Sequence, residues 1–178
     1  NGVAALAFTS SHVASAAGLL GWLLAERIKF GKPSALGAAS GCVAGLVAIT
    51  PGAGFITPGW ASLIGFVAGV LCFQAVCLKT KLGYDDALDV VGVHGVGGTL
   101  GALLTGVFAT VGAKSVLTGD VAQLGIQALG VVASGVYSFV VTFIIVKIID
   151  ATIGLRAEPG DELTGLDQTE HGEVGYSL

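Results

Sequence analysis

One segment of this sequence, residues 85–101, has the residue types and spacing to do chemistry. It reads DDALDVVGVHGVGGTLG, so a single histidine, His94, stands among glycines and valines close behind three aspartates. A neutral imidazole has one hydrogen-bond donor and one acceptor. His94 could therefore pass on a hydrogen bond or a proton to a small polar substrate.

The aspartates before His94 have a simpler structural interpretation. Asp85 and Asp86 stand where a helix is predicted to begin, and Asp side chains there accept hydrogen bonds from free backbone N–H groups. Asp89 lies one turn deeper, so two interpretations stay open for it: a place beside a substrate pathway, or a structural polar network.

The glycines after His94 loosely resemble a dinucleotide-binding loop, with Asp120 as the acidic partner. The third glycine, Gly101, stands one place late for the GxGxxG pattern. The apolar runs on either side are also too long for the strands of a doubly wound sheet. We therefore reject a nucleotide-binding enzyme in favour of a protein that is not an enzyme and needs no cofactor.

The composition of the whole chain indicates the environment of these residues. Hydrophobic residues make up 53% of the 178 residues and charged residues 11%, whereas a soluble domain averages roughly 25% charged residues. A chain of this length cannot bury that much apolar surface in one water-soluble core. We predict a membrane protein, with no basic patch for nucleic acid.

Five apolar stretches predict the elements that hold the chemical segment. Most approach the ~20 residues that an α-helix needs to span a bilayer. They cover residues 3–25, 34–50, 58–78, 87–109 and 121–149. The predicted fold is an all-α, polytopic transmembrane bundle over residues 1–153, with His94 about four residues, or roughly 6 Å, from the middle of its span. At that depth an ionisable side chain usually faces a pathway.

Small residues repeat at helical spacing within these spans. Gly37, Gly41 and Gly45 form a double GxxxG pattern, and the pairs Gly65/Gly69 and Gly97/Gly101 repeat it. Such patterns are typical of helices whose backbones approach closely in lipid.

The basic residues predict the orientation. If the first connection is cytoplasmic, the positive-inside rule is satisfied by seven basic residues and opposed by Lys114 alone. The seven are Arg27, Lys29, Lys32, Lys79, Lys81, Lys147 and Arg156. The chain then starts outside, in a multi-pass plasma or inner membrane protein. The tail 154–178, with six acidic residues and no lysine or arginine after Arg156, is then cytoplasmic.

Several motifs together resemble one family. The segment 85–98, the start NGVAALAF, the stretch 45–55 (GLVAITPGAGF), and GLR, GLD and HGE near the end resemble ammonium transporters of the Amt/MEP branch. The order and spacing match over the whole chain, and the related Rh proteins lack this form of the His94 segment and the tail.

This resemblance implies an eleven-span fold with two inverted halves and a homotrimeric assembly, of which this chain matches spans seven to eleven. It implies that His94 and Val90 line the substrate pore, that Asp89 is a structural acidic residue below it, and that Thr50 lies near the outer vestibule. It also implies a regulatory tail, marked by Gly165, Asp167, His171 and Gly172, that couples subunits or meets a PII-type signal protein.

The expected function is ammonium transport by deprotonation of the ion and passage of ammonia along a histidine-lined apolar pore, with methylammonium as an analogue. The family's second pore histidine and aromatic gate belong to earlier spans. We therefore expect these residues to be the C-terminal half of a longer protein, because they cannot complete a pore alone. An ammonium sensor that signals through the tail is the alternative.

Overall fold

The structure, a computed structural model, describes residues 1–175. All of the regular secondary structure in these residues is helical. It divides into two compact units, Asn1–Ala133 and a second that begins at Ser134. The helices are α1 (Gly2–Phe30), α2 (Ala35–Ile49), α3 (Pro58–Leu82), α4 (Val96–Phe108, preceded by a π-helical turn, Val91–Gly95), α5 (Ala122–Thr152), α6 (Pro159–Thr164) and α7 (Leu166–Thr169), with a 3₁₀ turn at Val116–Thr118.

The five long helices coincide with the five predicted apolar stretches, which confirms the all-α membrane bundle. Within the described residues, four segments are long and apolar enough to cross a membrane: α1, α3, α5 and the continuous segment Val91–Phe108. The remaining predicted span, helix α2, has only 15 residues. The predicted boundary between a membrane domain and a tail at residue 153 stays a prediction, and residues 176–178 of that tail lie outside the described residues.

Local sequence sets where the first three helices begin and end. The Asn1 side chain caps α1, and the Ser34 side chain accepts a hydrogen bond from the Gly37 N–H at the start of α2. Pro58 opens α3, where its missing N–H costs nothing. Gly31 and Gly83 end α1 and α3 in the left-handed conformation that glycine adopts without strain.

The close approach of α1 to its neighbours depends on glycine. A Cβ atom at Gly65 of α3 would lie 2.1 Å from the Ala14 carbonyl oxygen of α1, and one at Gly45 of α2 would lie 2.2 Å from the same oxygen. A Cβ at Gly101 of α4 would lie 2.0 Å from the carbonyl oxygen of Ala48 in α2. The predicted small-residue faces therefore hold backbones in contact, as such faces do in lipid.

The connection between α2 and α3, residues 50–57, is a compact loop that hydrogen-bonds to α1 and to the segment that follows α4. The Phe55 carbonyl accepts hydrogen bonds from the N–H groups of Thr110 and Val111, at 2.9 and 3.0 Å. The Ile56 carbonyl accepts one from the buried Ser10 hydroxyl of α1, at 2.8 Å. Non-helical backbone at membrane depth is tolerated where the protein satisfies it in this way.

The fifth helix contrasts with the first four. None of its residues is buried within the described part of the chain. Its first turns contact α4, because a Cβ at Gly106 would lie 3.0 Å from the Leu124 Cα atom. A long apolar helix without buried residues requires lipid or further protein around it.

Candidate functional site

The His94 segment begins four residues later than predicted, and Asp86 marks its start. The helix starts at Val91 rather than at residue 87. The Asp86 carboxylate accepts hydrogen bonds from the backbone N–H groups of Val90 and Val91, each at 2.8 Å. The predicted capping role is thus confirmed for Asp86, whose two bonds satisfy donors that the first helical turn leaves free.

His94 itself lies in the π-helical turn Val91–Gly95, not in a regular α-helix. Single π-helical turns inside helices are rare and occur often at functional sites. The turn is the first part of a continuous helical segment ending at Phe108, so His94 lies about 8 Å from the middle of that segment, somewhat further than expected.

Asp89 adopts an unusual backbone conformation just before this turn. Its φ angle is 56°, the only positive value at a non-glycine position among the described residues. Its carboxylate pairs with the Lys79 ammonium at the end of α3, and Lys79 also donates a hydrogen bond of 2.7 Å to the Asp86 carbonyl. Of the two interpretations that were open for Asp89, a polar network therefore describes its contacts.

Lys79 is the residue of this network that sequence reasoning missed. It was counted only as one of several basic residues on the cytoplasmic side. Its position in the last turn of α3, ten residues before Asp89, was the available signal. That signal is weak, because lysines are common at helix C-termini for purely electrostatic reasons.

A cavity of about 300 Å³ lies between α2 and the His94 turn. Its walls are mainly apolar, with His94, Asp89 and Ser40 as the polar members. The remaining lining residues are Leu36, Ala39, Val43, Ala87, Leu88 and Val93. His94 is solvent-exposed in this chain, so its imidazole is available to a ligand or to a neighbouring helix.

The other predicted pore residues are arranged differently. Val90 is 48% exposed and is not part of the cavity wall. Thr50 caps the far end of α2, where its hydroxyl donates to the Leu46 carbonyl at 2.7 Å. It lies seven residues, or about 10 Å along the helix, beyond Val43 of the cavity. The structure thus brings Asp89 to the cavity of His94 but not Thr50.

The predicted tail residues form a separate, compact turn. Gly165 and Gly172 have φ angles of 111° and 64°, values that residues with a side chain rarely adopt. The Asp167 carbonyl accepts a hydrogen bond of 2.8 Å from the Glu173 N–H, which closes the loop that contains His171. The GLD and HGE motifs therefore specify a defined local shape, with His171 exposed.

An ion pair stabilises this tail and predicts its response to pH. Arg156 donates hydrogen bonds of 2.8 and 3.2 Å to the Glu162 carboxylate, which lower the pKa of Glu162 below its ordinary value. Because the folded-state pKa is the lower one, the pair stabilises the tail above the unfolded-state pKa and ceases to do so as pH falls through the folded-state pKa.

We expect an NMR titration of the full-length protein to find this lowered Glu162 pKa and to find it raised by Arg156→Gln. Lys114→Gln, which removes a lysine of the other unit, serves as the control and should leave the Glu162 pKa unchanged. A Glu162 pKa that is the same with and without Arg156 would contradict the pairing.

Comparison with known proteins assigns the chain to a family. Residues 1–176 match the model of the Ammonium Transporter Family. This chain belongs to that family. The match confirms the resemblance drawn from the His94 segment, the two apolar stretches before it and the motifs near the end of the chain.

Curated members of the family cover the same region. The chain is 48% identical to an ammonium transporter of Bacillus subtilis strain 168, over 99% of this chain and 45% of that protein. It is 49% identical to an ammonium transporter of Mycobacterium tuberculosis strain H37Rv, over 100% of this chain and 40% of that protein. The chain thus spans less than half the length of these relatives.

Solved structures of the family share the fold. Saccharomyces cerevisiae Mep2 matches with a TM-score of 0.82 and 34% identity, over 89% of this chain and 38% of that one. A structure named Sensor Amt Protein matches with a TM-score of 0.83 and 30% identity, over 96% of this chain and 42% of that one. The proteins that resemble this chain therefore include named transporters and one described as a sensor.

Proposed function

We propose that this chain forms the second half of a membrane transporter for ammonium, and that His94 serves the passage of ammonia. The observation that carries the proposal is the exposed imidazole of His94 beside a mainly apolar cavity, in a chain that belongs to the Ammonium Transporter Family. The named relatives, each more than twice as long as this chain, support the substrate.

The chemistry of the site suits a neutral substrate better than an ion. Transfer of an unpaired ion into an apolar cavity costs many kcal/mol, whereas a small neutral amine needs only a partner for its hydrogen bonds. In the proposed mechanism ammonium loses its proton at an outer site, ammonia passes along the apolar pore, and His94 supplies hydrogen bonds and a route for the proton. Val90 lines the pore beside it.

A first half of the pore is part of the proposal. The His94 cavity is open, and α5 buries none of its residues within the described chain. A further set of helices that closes the cavity and covers α5 would complete a pore, and a homotrimer would enclose more of the apolar surface. The proposed orientation places the start of the chain outside and the tail in the cytoplasm.

Reconstitution tests the proposal directly. We would measure the intact mass of the native polypeptide and then its methylammonium uptake in proteoliposomes, beside the 178-residue chain alone. We expect saturable uptake that ammonium inhibits from the full-length protein and none from the chain alone. Absence of ammonium-inhibited uptake by correctly folded, full-length protein would contradict transport.

A sensor of ammonium is the second candidate, because the chain is structurally similar to the Sensor Amt Protein. The tail loop from Gly165 to Gly172 would then report binding to a cytoplasmic partner such as a PII-type signal protein. Binding of ammonium with an affinity that the partner changes, and without flux, would favour this function over transport.

A further inference from the structure

One face of α3 contacts the His94 turn and the segment just before it at three successive levels. Cys72, Val76 and Lys79 are spaced by four and three residues and therefore share that face. The Cys72 thiol lies 3.8 Å from the Val93 carbonyl oxygen, and a Cβ at Gly92 would lie 2.7 Å from a Val76 methyl carbon. Lys79 completes the series with its contacts to residues 86 and 89.

The three contacts of α3 are of two kinds, apolar packing and polar binding. The contacts of Cys72 and Val76 are packing contacts, which hold the distance between α3 and the turn. Of the three, only Lys79 contacts the segment before the turn, through one backbone carbonyl and one carboxylate; within that segment, the Asp86 carboxylate binds the N–H groups of Val90 and Val91. That segment decides at which residue the helix begins.

The register of a helix against its neighbours determines where its side chains point. A slide of the His94 helix by one residue against α3 would rotate each side chain by about 100° around the axis. The present start requires the left-handed conformation of Asp89, which is unfavourable for residues other than glycine, though Asp and Asn tolerate it better than most. A partner that holds Asp89 in this conformation therefore also directs the His94 imidazole.

We propose that Lys79 is the positioning residue of His94: by binding the Asp86 carbonyl and the Asp89 carboxylate together, it holds the left-handed turn that aims the imidazole at its cavity. This inference rests on the proposed transport function. The ion pair is only partly exposed, with 22% of the Lys79 and 31% of the Asp89 side chain accessible, so water replaces it incompletely.

The first test compares substitutions of Lys79 in the full-length protein, with methylammonium uptake expressed per folded molecule. We expect Lys79→Met to lower the maximal rate by about tenfold, because a small displacement of a functional group such as the His94 imidazole commonly costs that much or more. The half-saturation concentration should stay unchanged, because substrate recognition at the outer site does not involve this end of α3. Lys79→Arg, which retains the charge and the donors, should restore most of the rate.

Lys81→Met provides the matched control on the same helix end. Lys81 lines a different groove, with Lys29 and Gln74, away from the aspartates. Its removal should leave both the maximal rate and the half-saturation concentration unchanged. If Lys79→Met yields too little folded protein, Lys79→Gln serves in the same comparison.

A double substitution separates backbone positioning from general stability. Glycine adopts the left-handed conformation freely and leaves no carboxylate without a partner. Asp89→Gly should therefore make Lys79 largely dispensable, so Lys79→Met/Asp89→Gly should transport several times faster than Lys79→Met. Lys79→Met/Asp89→Ala, where the left-handed turn stays unfavourable, should not recover.

The outcomes are distinct. A Lys79→Met protein that transports at the wild-type rate per folded molecule, or that is rescued equally by alanine and glycine at position 89, overturns the positioning role. If His94→Ala is inactive in the same assay, the proposed function survives that result. If His94→Ala transports normally, the proposed function of His94 itself is wrong.

Discussion

His94→Ala should abolish selective ammonium uptake by the full-length protein. The substitution removes the one side chain at the cavity that can both donate and accept a hydrogen bond and exchange a proton with its surroundings. The remaining wall is mainly apolar, and an apolar wall offers ammonia no replacement for the water that it leaves behind. We expect methylammonium uptake in proteoliposomes to fall to the background of empty vesicles.

A second substitution at the same position separates the two contributions of the imidazole. His94→Gln retains a hydrogen-bond donor and an acceptor but cannot exchange protons near neutral pH. Flux retained by glutamine would assign His94 a hydrogen-bonding role, and flux lost with both substitutions would assign it a role in proton transfer.

The control for both is His12→Ala. His12 is a histidine of α1 that contacts Phe8, through the Phe8 carbonyl at 2.9 Å and the ring at 4.1 Å. Its removal should leave uptake unchanged. Wild-type uptake by a folded His94→Ala protein would show that His94 is not a pore residue.

Gly65→Ala should destabilise the protein by about 3 kcal/mol, although it adds a single methyl group. The new Cβ atom would lie 2.1 Å from the Ala14 carbonyl oxygen and 2.8 Å from the Ala14 Cα atom. Helix α1 cannot move aside, because Gly45 of α2 contacts the same carbonyl from another direction. Both helix pairs must therefore separate together.

Substitution of Gly59 by alanine should instead stabilise the protein. Gly59 stands near the start of α3 and has no atom within 4 Å of the position that a Cβ would take. Alanine there gains up to about 1 kcal/mol of helix propensity. Thermal unfolding of the full-length protein in detergent measures both changes, and a Gly65→Ala protein as stable as Gly59→Ala would contradict the packing described for Ala14.

The fold was more predictable from sequence than the site. Long apolar runs between polar or turn-forming breaks locate the five helices, because hydrocarbon demands such runs wherever a helix crosses it. The start of the fourth was placed too early, since Ala87 and Leu88 are apolar and look helical. Lys79 contacts both ends of their turn through the Asp86 carbonyl and the Asp89 carboxylate, and a contact between residues ten positions apart leaves no periodic signal.

The glycine patterns were also predictive only in part. They predicted that helices approach closely, but they did not predict which groups the glycines contact. Gly37 proved to face a side chain, with the Glu26 carboxylate oxygen 2.3 Å from the position of a Cβ. That carboxylate accepts hydrogen bonds from the backbone N–H and the hydroxyl of Ser34, each at 2.8 Å. Tertiary contacts of this kind depend on how helices pack, which composition and spacing leave open.

The shortness of α2 has an electrical consequence. Its 15 residues extend over about 22 Å, whereas the hydrocarbon core is about 30 Å thick. With the proposed orientation, and with the Ala35 end of α2 at the inner surface, the Thr50 end would stop about 8 Å below the outer surface. Residues 50–57, with their satisfied backbone groups, would then form the floor of a recess.

Water in such a recess carries the outside potential inward, so the membrane voltage falls across the thinner remaining layer. A cation would reach Thr50 without doing work against the field, which elsewhere amounts to about 2.3 kcal/mol per charge for a full crossing at 100 mV. Whatever charge moves during transport must cross only the steeper field between that floor and the cytoplasm. In the proposed orientation, the length of one helix would thereby set where along the pathway the membrane potential acts.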